Sequence, residues 1–483
     1  MKVCVSLIED NVKDAVAAGI AAQERGADLL EVRFDRMRAL PDDLSPFRKL
    51  ELPRIATLRT TAQGGGSELD DEGRLRFFRR AVRIGFEYLD IEHDSSLVRR
   101  MGRELKNTGI ICSYHDHAGT PDLGGILDAL VTTASKGDLA KAAFRVNGIG
   151  DLLRLREAAR MFSATGNQFV LIGMGELGEV TRVMPEAFGS AFTYASLEKG
   201  KESAPGQLDV STVKALGDHP VITGITGQPL GHSRSPAMHD HAFRALGLPG
   251  KYLAFPASSD ELPDLIELVR EIGIRGLNVT MPHKEGVMKL LDSIDPLARR
   301  VGAVNTIVNR DGTLEGRNTD VTGLEASLLA AGADPKGKEV LVIGAGGAAR
   351  ACCAVLERRG ARIWVTDRTA SRAQELAKAF SGRVAGHGDL PRMEFDMVVN
   401  CTPVGMKDFP NELPVDPGVF RPGRWAVDLV YNPVNTPFLT EAAARGAKTI
   451  SGIEMLIYQA MDAFEAWTGQ RPPYEAMAEG ART

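Results

Sequence analysis

The sequence contains few cysteines and no long apolar run. Five cysteines occur among 483 residues, and none is spaced as a C-x-x-C pair, so neither a zinc ribbon nor a disulfide framework is indicated. No stretch of about 18 apolar residues is present, so the sequence offers no membrane-spanning helix. Residues 1–8 have the pattern of a strand and not of a secretory signal. We therefore expect a cytoplasmic protein in a reducing compartment.

An excess of charge of one sign is also lacking. The formal net charge is −5, which gives no reason to expect nucleic acid or an anionic membrane as a partner. Apolar residues make up 43% of the chain and charged residues 25%, as in ordinary globular proteins. Because single cores stop growing near ~250–300 residues, the length predicts two or three domains.

The first half alternates short β-type runs with helical stretches up to about Val213. This alternation over roughly 200 residues predicts a (β/α)8 TIM barrel, with an open doubly wound sheet as the alternative. The predicted helices include residues 11–26, 72–85 and 151–162. The predicted strands are residues 3–8, 29–34, 55–58, 88–91, 110–113, 142–146, 169–172 and 191–194.

Functional side chains lie at or just beyond the ends of these predicted strands. They are Ser6, Glu31, Arg33, Arg59, Asp90, Glu92, His115, Lys141, Met174, Arg182, Ser203 and Gln207. Such a set at one rim of a barrel is typical of an active site. Three arginines within it indicate an anionic substrate, since guanidinium binds carboxylate through two hydrogen bonds. Each arginine taken singly is more typical of a surface salt bridge.

Lys141 and His115 are the candidate catalytic pair of this half. Lys141 begins a predicted strand in the apolar context Leu139 to Phe144, where burial disfavours the ammonium form and favours an amine that attacks ketones. The alternative is a lysine whose charged end reaches solvent. Histidine ordinarily titrates near neutral pH, so His115 is the candidate base. His115 and His117 could also bind a metal, but no third ligand is evident, and we predict none.

Residues 90–92, 110–116 and 199–207 resemble the signature of type I 3-dehydroquinate dehydratases. The resemblance implies a Schiff base on Lys141, with His115 removing the C2 proton and returning a proton to the departing hydroxyl. One departure is Gln63, where the family commonly has a glutamate held against the histidine. The resemblance to the dehydratases also implies the substrate-binding residues, which are Ser6, Glu31, Arg33, Arg59, Met174, Arg182, Ser203 and Gln207.

A dinucleotide-binding signature marks the second half. A buried strand at residues 339–343 is followed by G-x-G-x-x-A and a helical pattern to Arg359. Gly344 permits the tight turn, Gly346 lets the pyrophosphate approach the backbone, and Ala349 allows close packing of helix and strand. The predicted cofactor-binding residues of the turn are Gly344, Gly346, Gly347 and Ala348.

The loop after the next strand selects the cofactor. Asp367 is placed to bind the ribose hydroxyls of NAD, whereas Arg368 and Arg372 could hold the 2′-phosphate of NADP. We predict NADP, with NAD as a secondary cofactor. Thr369, Thr402 and Gly452 complete the predicted cofactor-binding residues.

Candidate substrate residues precede this signature. Ser233 and Ser235 stand just before a predicted helix at residues 236–246, where Ser235 could also be the N-cap. Lys284 and Asp320 follow runs rich in Asn and Thr, and we predict that they form an acid–base and orienting pair for hydride transfer to a carbonyl.

Residues 221–469 resemble shikimate dehydrogenases, in which Lys284 and Asp320 would carry the chemistry. The resemblance implies that Ser233, Ser235, Asn278, Thr280, Asn305, Tyr431 and Gln459 bind the substrate. The main departure is Asp367, where the NADP-type loop usually has asparagine. The order of the halves matches fused dehydratase–dehydrogenases. It implies conversion of 3-dehydroquinate to 3-dehydroshikimate, then NADPH-dependent reduction to shikimate. The predicted domains are a barrel at 1–215, a substrate domain at 219–325 completed by about 455–475, and a Rossmann domain at 326–454.

Two alternatives stay open at this point. An NAD-linked quinate/shikimate dehydrogenase of catabolism has Asp367 as its support. A non-catalytic ligand sensor on the same folds predicts loss of the chemical residues, yet Lys141, His115, Lys284 and Asp320 are all present.

Overall fold

The structure is a computed structural model that describes residues 1–231, 233–406, 409 and 412–482. The chain divides into two compact units, Met1–Val221 with Leu253–Leu268, and Ile222–Tyr252 with Val269–Thr483. Within the described ranges, no helix combines the length and apolarity needed to cross a membrane.

Eight parallel strands form the first sheet, in the order β7-β6-β5-β4-β3-β2-β1-β8, and an isolated bridge between Phe169 and Ser190 brings the two ends of this order together. This nearly closed ring confirms the predicted barrel, and the open doubly wound alternative is wrong for this half. The strands are Val3–Leu7 (β1), Leu29–Arg33 (β2), Arg54–Thr57 (β3), Tyr88–Glu92 (β4), Gly109–Asp116 (β5), Leu139–Arg145 (β6), Phe169–Met174 (β7) and Thr193–Ser196 (β8).

The helices of the barrel follow its strands. Several begin at a side chain that caps the first turn, because Asn and Asp accept hydrogen bonds from otherwise unpaired N–H groups there. Asn11, Asp70, Asp122 and Asp209 are such caps. The helices are Val12–Glu24 (α1), Asp71–Ile84 (α2), Leu97–Gly102 (α3), Leu123–Ala134 (α4), Ile149–Ser163 (α5), Glu179–Val183 (α6) and Val210–Leu216 (α7).

Two strand boundaries differ from the sequence-based prediction in a way that matters for the site. Strand β5 continues to Asp116, so His115 lies within it and not beyond it. Strand β6 starts at Leu139, so Lys141 is its third residue and not its first. Pairing across the sheet overrides local pattern at both places, because Ser113 and His115 pair with Lys141 and Ala143 of the neighbouring strand.

The barrel interior is apolar below its polar rim. One core cluster, which includes Cys4, Ile55, Ile111 and Val170, fills the inside of the ring. Inward-facing positions alternate along a strand, so Ser6, two residues after Cys4, faces the same interior one layer higher. The rim residues are therefore held above a packed floor.

The second sheet contains both parallel and antiparallel strand pairs among its six strands, in the order β10-β9-β11-β13-β14-β12. Its strands are Val221–Thr226 (β9), Gly250–Phe255 (β10), Gly276–Val279 (β11), Ser293–Ile294 (β12), Thr306–Arg310 (β13) and Thr313–Arg317 (β14). The helices of this stretch of chain are Ser235–Ala245 (α8), Leu262–Ile272 (α9), Pro296–Val301 (α10) and Thr319–Ala330 (α11).

The third sheet is parallel, in the order β17-β16-β15-β18-β19-β20, which is the strand order of dinucleotide-binding Rossmann domains. Its strands are Glu339–Ile343 (β15), Arg362–Thr366 (β16), Arg383–Val384 (β17), Met397–Asn400 (β18), Trp425–Asp428 (β19) and Lys448–Ile450 (β20). The remaining helices are Gly347–Arg359 (α12), Ala370–Ala379 (α13), Pro437–Ala444 (α14), Gly452–Thr468 (α15) and Tyr474–Arg482 (α16).

Asp428, at the end of β19, gives this domain a pH-dependent stability. Burial raises the pKa of its carboxyl to about 6, although Thr436 and Asn400 donate hydrogen bonds to it. A raised carboxyl pKa stabilises the fold below the unfolded pKa, and this contribution is lost as pH rises through about 6.

We expect Asp428→Asn to remove that contribution. Between about pH 4 and pH 8, the free energy of unfolding of the variant should rise relative to wild type by on the order of 2–3 kcal/mol, measured by urea titration. The exposed Asp389→Asn in the same domain is the control and should show no such relative rise. Parallel pH profiles for Asp428→Asn and wild type would contradict the assignment.

Candidate active sites

Lys141 lies inside the barrel, 5% exposed, among charged groups. Its Nζ donates a 2.9 Å hydrogen bond to Asp90 Oδ2 and lies 3.7 Å from Glu31 Oε1. It also lies 4.3 Å from the centre of the Tyr194 ring. The apolar setting predicted from the local sequence is therefore incomplete, because neighbouring strands supply two carboxylates.

Asp90 connects Lys141 to Arg59. The guanidinium of Arg59 lies 2.8 Å from Asp90 Oδ1 and donates a 2.6 Å bond to Ser113 Oγ, which in turn donates to Asp90. Burial alone would raise the pKa of the Asp90 carboxyl, but Arg59 and Lys141 hold it below its usual value. Asp90 is thus an anion that fixes both cations.

Glu92 extends this network. Its Oε1 lies 3.7 Å from Arg59 Nη1, and its other oxygen pairs with Arg74 of α2. We call the residues Glu31, Arg59, Arg74, Asp90, Glu92 and Lys141 the buried charge cluster; each is less than one-tenth exposed.

Glu31 is oriented by two hydroxyls. Ser6 Oγ donates to Glu31 Oε2 at 2.8 Å, and Thr57 Oγ1 donates to Oε1 at 3.0 Å. The structure thus joins Ser6 to the predicted site through Glu31.

His115 extends from β5 toward the same interior. Its Nδ1 is buried and, among the described residues, has no hydrogen-bond partner. Burial, together with the positive charges of Arg59 and Lys141, holds the pKa of His115 well below its usual value, so the ring is neutral and able to accept a proton. The Gln63 side chain contacts the main chain of His115, since Gln63 Oε1 accepts from the His115 N–H at 3.2 Å.

The three predicted arginines differ in their partners. Arg33 donates two hydrogen bonds to Asp35, at 2.9 and 2.8 Å, and Arg59 belongs to the buried charge cluster. Arg182 of α6 donates 2.6 Å to Gly173 O, while its Nε is buried without a partner in the described part of the chain. Burial lowers the pKa of Arg182 to about 10. Of the three, Arg182 is therefore the guanidinium best able to receive a substrate carboxylate.

The remaining barrel residues lie on β7 and on the loop after β8. Met174 is buried at the end of β7. Ser203 Oγ donates 3.1 Å to Gln207 Oε1, so these two predicted residues are adjacent. No cluster of three histidine, cysteine, aspartate or glutamate side chains within the described ranges is placed to hold a metal ion.

The second site centres on Lys284 and Asp320. Lys284 Nζ donates a 2.6 Å hydrogen bond to Asp320 Oδ2. Asn305 Nδ2 donates 2.8 Å to Asp320 Oδ1, and Asn305 Oδ1 accepts from the Thr319 N–H at 2.7 Å. Asp320 is thereby fixed from both sides at the start of α11, so the predicted pair does form.

Three of the other predicted substrate residues, Asn278, Tyr431 and Gln459, are linked to this pair or to its neighbours. Tyr252 donates 2.7 Å to Asn278 Oδ1 and stacks on His239 at 4.3 Å between ring centres. Thr319 Oγ1 donates to Gln459 Oε1 at 3.4 Å, which joins α11 to α15. Burial raises the pKa of Tyr431, and Lys284 is close enough to oppose that shift.

The serines at the start of α8 lie beside one another, with Ser233 Oγ accepting from the Ser235 N–H at 3.3 Å. Ser235 is the first residue of α8, and its N-cap is Arg234, which makes no side-chain capping bond. The alternative that Ser235 is the N-cap is therefore wrong. Thr280 begins the loop after β11, where its N–H donates 2.9 Å to Thr226 O.

The cofactor turn has the backbone that the sequence predicts. Gly344 has φ +104°, and a Cβ there would lie 3.0 Å from Thr402 Cγ2, which also places Thr402 against the turn. Gly346 is the N-cap of α12, and a Cβ on Gly346 or Gly347 would meet open space, so a pyrophosphate can approach. Gly452 packs against the backbone of Leu429, where a Cβ would clash at 2.6 Å.

The loop after β16 carries two exposed cations. Asp367 Oδ1 accepts from the Thr369 N–H at 2.8 Å, so this carboxylate shapes the start of α13. Arg368 and Arg372 are exposed, and neither forms an ion pair within the described residues. The residues therefore fit a cofactor that carries a 2′-phosphate. Ala348 follows in the first turn of α12.

The site residues that sequence reasoning missed are those that hold the named ones. Asp90 directly contacts Lys141, whereas the sequence analysis places it at the rim of the barrel without giving it a role. Tyr194, Tyr252 and Thr319 gave no local signal, because only the strand register and helix packing bring them to the sites. A charged residue in the middle of a buried strand, as Asp90 is, was the one available signal.

Family models match both halves of the chain. The model described as type I 3-dehydroquinase matches residues 3–217. The shikimate dehydrogenase substrate binding domain matches residues 225–307, shikimate / quinate 5-dehydrogenase matches 328–404, and the shikimate 5′-dehydrogenase C-terminal domain matches 452–479.

Relatives with known names agree with these models. The chain is 34% identical to the bifunctional 3-dehydroquinate dehydratase/shikimate dehydrogenase, chloroplastic, of Arabidopsis thaliana, over 98% of this chain and 83% of that protein. It is 44% identical to the shikimate dehydrogenase (NADP(+)) of Moorella thermoacetica, over 53% of this chain and 90% of that one. A solved shikimate 5-dehydrogenase from Thermus thermophilus, in complex with NADP(H) and shikimate, superposes with a TM-score of 0.52 at 40% identity, covering 54% of this chain and 98% of that chain. The chain therefore belongs to the family of bifunctional 3-dehydroquinate dehydratase/shikimate dehydrogenases, as the motifs predicted.

Proposed function

We propose that this protein catalyses two consecutive steps of the shikimate pathway. The barrel dehydrates 3-dehydroquinate to 3-dehydroshikimate, and the second half reduces 3-dehydroshikimate to shikimate with NADPH. The observation that carries the proposal is the placement of Lys141 in the barrel interior, in contact with Asp90 and beside the neutral His115.

The barrel residues support a Schiff-base dehydration. Lys141 first passes a proton from its ammonium group to the neutral His115, and the free amine then attacks the substrate ketone. His115 returns that proton to the departing oxygen, and loss of water gives an iminium that can accept the electron pair released at C2. His115 takes the C2 proton, and the electron pair left at C2 is held as an enamine. This electron pair then expels the C1 hydroxyl, which receives a proton from His115 and leaves as water. Hydrolysis of the iminium frees the amine. Arg182 is the proposed partner of the substrate carboxylate, while Asp90 and Glu31 hold Lys141 in place.

The second site supports carbonyl reduction. NADPH bound at the turn that begins α12 supplies the hydride. Lys284, hydrogen-bonded to Asp320, donates a proton or a hydrogen bond to the carbonyl oxygen as it gains negative charge. Asn305 keeps Asp320 oriented toward the lysine. The proposed substrate-binding residues of this site are Ser233, Ser235, Asn278, Thr280, Asn305, Tyr431 and Gln459.

The domain boundaries and the location are proposals as well. We propose a barrel at 1–215, a substrate domain at 219–325 completed by about 455–475, and a Rossmann domain at 326–454. A reducing compartment remains an expectation from the five unpaired cysteines.

A single coupled assay tests both steps of the proposed function. Purified protein supplied with 3-dehydroquinate and NADPH should oxidise the nicotinamide and accumulate shikimate, because the product of the first site is the substrate of the second. Protein that oxidises NADPH with added 3-dehydroshikimate but not with 3-dehydroquinate would refute the dehydratase half.

Arg368 and Arg372 should decide the choice between NADPH and NADH. Each change to Ala removes one cation facing the 2′-phosphate, so the KM for NADPH should rise about tenfold while the KM for NADH stays unchanged. Steady-state kinetics with both cofactors measures this. Arg392→Ala removes an exposed arginine elsewhere in the domain and should change neither KM. An equal loss for both cofactors would argue against a phosphate contact.

A further inference from the structure

Asn278, a proposed substrate-binding residue of the reductase, could meet the substrate with either end of its amide. The oxygen Oδ1 can only accept a hydrogen bond, and the nitrogen Nδ2 can only donate one. The orientation of the amide therefore decides whether Asn278 recognises an oxygen that accepts or a hydroxyl that donates. Asn278 is the third residue of β11 and is buried, so its neighbours in the fold set that orientation.

The main chain of Asn305 fixes the donating end of the amide. Nδ2 of Asn278 lies 3.4 Å from the main-chain oxygen of Asn305 and 3.3 Å from Thr306 Oγ1. A main-chain carbonyl only accepts hydrogen bonds, so the amide atom that faces it must be the nitrogen. If the amide were turned over, Oδ1 would face the oxygen of Asn305 and the two acceptors would repel each other.

Tyr252 holds the accepting end of the amide. Its Oη donates a 2.7 Å hydrogen bond to Asn278 Oδ1. Burial raises the pKa of Tyr252 well above its usual value, so the phenol keeps its proton and stays a donor. The ring is held in place because it stacks on the buried His239, with 4.3 Å between ring centres and 3° between ring planes. The main-chain N–H of Tyr252 also donates 3.1 Å to Asp240 Oδ1.

The two ends of the amide are held with unequal strength. The bond from Tyr252 is 2.7 Å long, whereas both contacts of Nδ2 exceed the ~2.9–3.0 Å typical of N–H···O bonds. The main-chain oxygen of Asn305 already accepts the Val279 N–H at 2.8 Å. An N–H of Asn278 can therefore turn toward a substrate oxygen at little cost, while Oδ1 stays bound to Tyr252.

We propose that Tyr252 is a positioning residue of the reductase, which holds Asn278 so that the amide offers an N–H and not its oxygen to the substrate. The inference rests on the proposed reduction of 3-dehydroshikimate. The substrate atom that Asn278 meets is then an oxygen with a free lone pair. Tyr252 acts through Asn278, so its effect should disappear when the amide is absent.

The first test is a double-mutant cycle in the full-length chain. Tyr252→Phe keeps the ring that stacks on His239 and removes the donor, so the amide loses its fixed orientation. The KM for 3-dehydroshikimate should rise about tenfold, while kcat and the KM for NADPH change less than about twofold, because a contact made equally before and during hydride transfer affects binding alone. In the Asn278→Ala background the same change should raise KM less than about twofold. An equal rise in both backgrounds, or no rise in Tyr252→Phe alone, would overturn the proposal.

Asn278→Asp tests the orientation without changing Tyr252. Aspartate has the shape of asparagine and can still accept the bond from Tyr252, but it has no N–H to donate. The KM for 3-dehydroshikimate in Asn278→Asp should therefore be at least as high as in Asn278→Ala, with both about tenfold or more above wild type. A KM in Asn278→Asp below that in Asn278→Ala would show that the oxygen is the end that binds the substrate, which contradicts the proposal.

Tyr474→Phe is the matched control, because the phenol of Tyr474 donates a bond of similar length, 2.8 Å, to Glu454 Oε2 in the same unit. Losing that bond should leave the KM for 3-dehydroshikimate unchanged. Failure of the proposed function is distinguishable from failure of this inference. In the former case wild-type protein would oxidise no NADPH with 3-dehydroshikimate, whereas in the latter it would do so with a KM that does not depend on Tyr252 in the way described.

Discussion

Replacing Lys141 is expected to abolish dehydration while leaving reduction intact. Without the amine no iminium forms, and kcat with 3-dehydroquinate should fall by about 10⁴-fold or more, the scale seen when a covalent nucleophile is removed. Lys141→Arg is the sharper variant, because it keeps the positive charge beside Asp90 and cannot form the Schiff base. Reduction of 3-dehydroshikimate by NADPH should keep its wild-type rate in both Lys141→Ala and Lys141→Arg.

Borohydride reduction in the presence of 3-dehydroquinate gives the direct readout. Wild-type protein should be inactivated and carry one adduct, which mass mapping places on Lys141. The matched control is Lys136→Ala, an exposed lysine of the same unit whose Nζ bonds to His93 O in the structure. It should retain both the adduct and the activity. An adduct on any other lysine of wild-type protein would refute the role given to Lys141.

The second large effect is expected at Lys284. Lys284→Ala removes the cation that stabilises the developing oxyanion, so kcat for reduction of 3-dehydroshikimate should fall by about 10²–10⁴-fold. Asp320→Asn keeps the shape of the partner side chain and removes its charge, so kcat for reduction should fall less in this variant than in Lys284→Ala. With 3-dehydroquinate as substrate, both variants should accumulate 3-dehydroshikimate, because the barrel is unaffected.

The control for the Lys284 and Asp320 variants is Lys289→Ala, which changes an exposed lysine five residues after Lys284 in the sequence. It should leave the reductase rate unchanged. Pre-steady-state measurement with deuterated NADPH separates chemistry from binding, and the hydride step should slow in Lys284→Ala. A variant whose KM rises while kcat holds would instead make Lys284 a binding residue and contradict the proton-donating role.

The hydrophobic pattern and the turn residues of the sequence predict much of the fold. The eight barrel strands were each located to within a few residues, since apolar runs in parallel sheets are continuous and are bounded by capping Asp and Asn. The dinucleotide turn was located because Gly344 requires a positive φ that few other residues tolerate. Errors fell at β5 and β6, where pairing between strands extends each beyond its own apolar segment.

The contacts that surround each predicted site residue are harder to predict from the sequence. Local sequence indicated an apolar setting for Lys141, yet Asp90 reaches it from a strand 51 positions earlier in the chain. Likewise the three arginines looked equivalent, and only the register of the barrel shows that two of them already have carboxylate partners. Contacts of this kind depend on strand order and stagger, which a single sequence does not specify.

The buried charge cluster has a consequence for how the barrel can change. It holds three cations and three anions that contact one another, so it is formally neutral as a whole. Losing one member leaves a buried opposite charge without compensation, a loss that costs about 3–5 kcal/mol. Substitutions there that remove a charge therefore lower the stability of the barrel as well as its activity, whereas Lys141→Arg keeps the charge. A descendant of this protein that no longer dehydrates its substrate should therefore keep the buried charge cluster. Its activity should be lost first through uncharged residues outside that cluster.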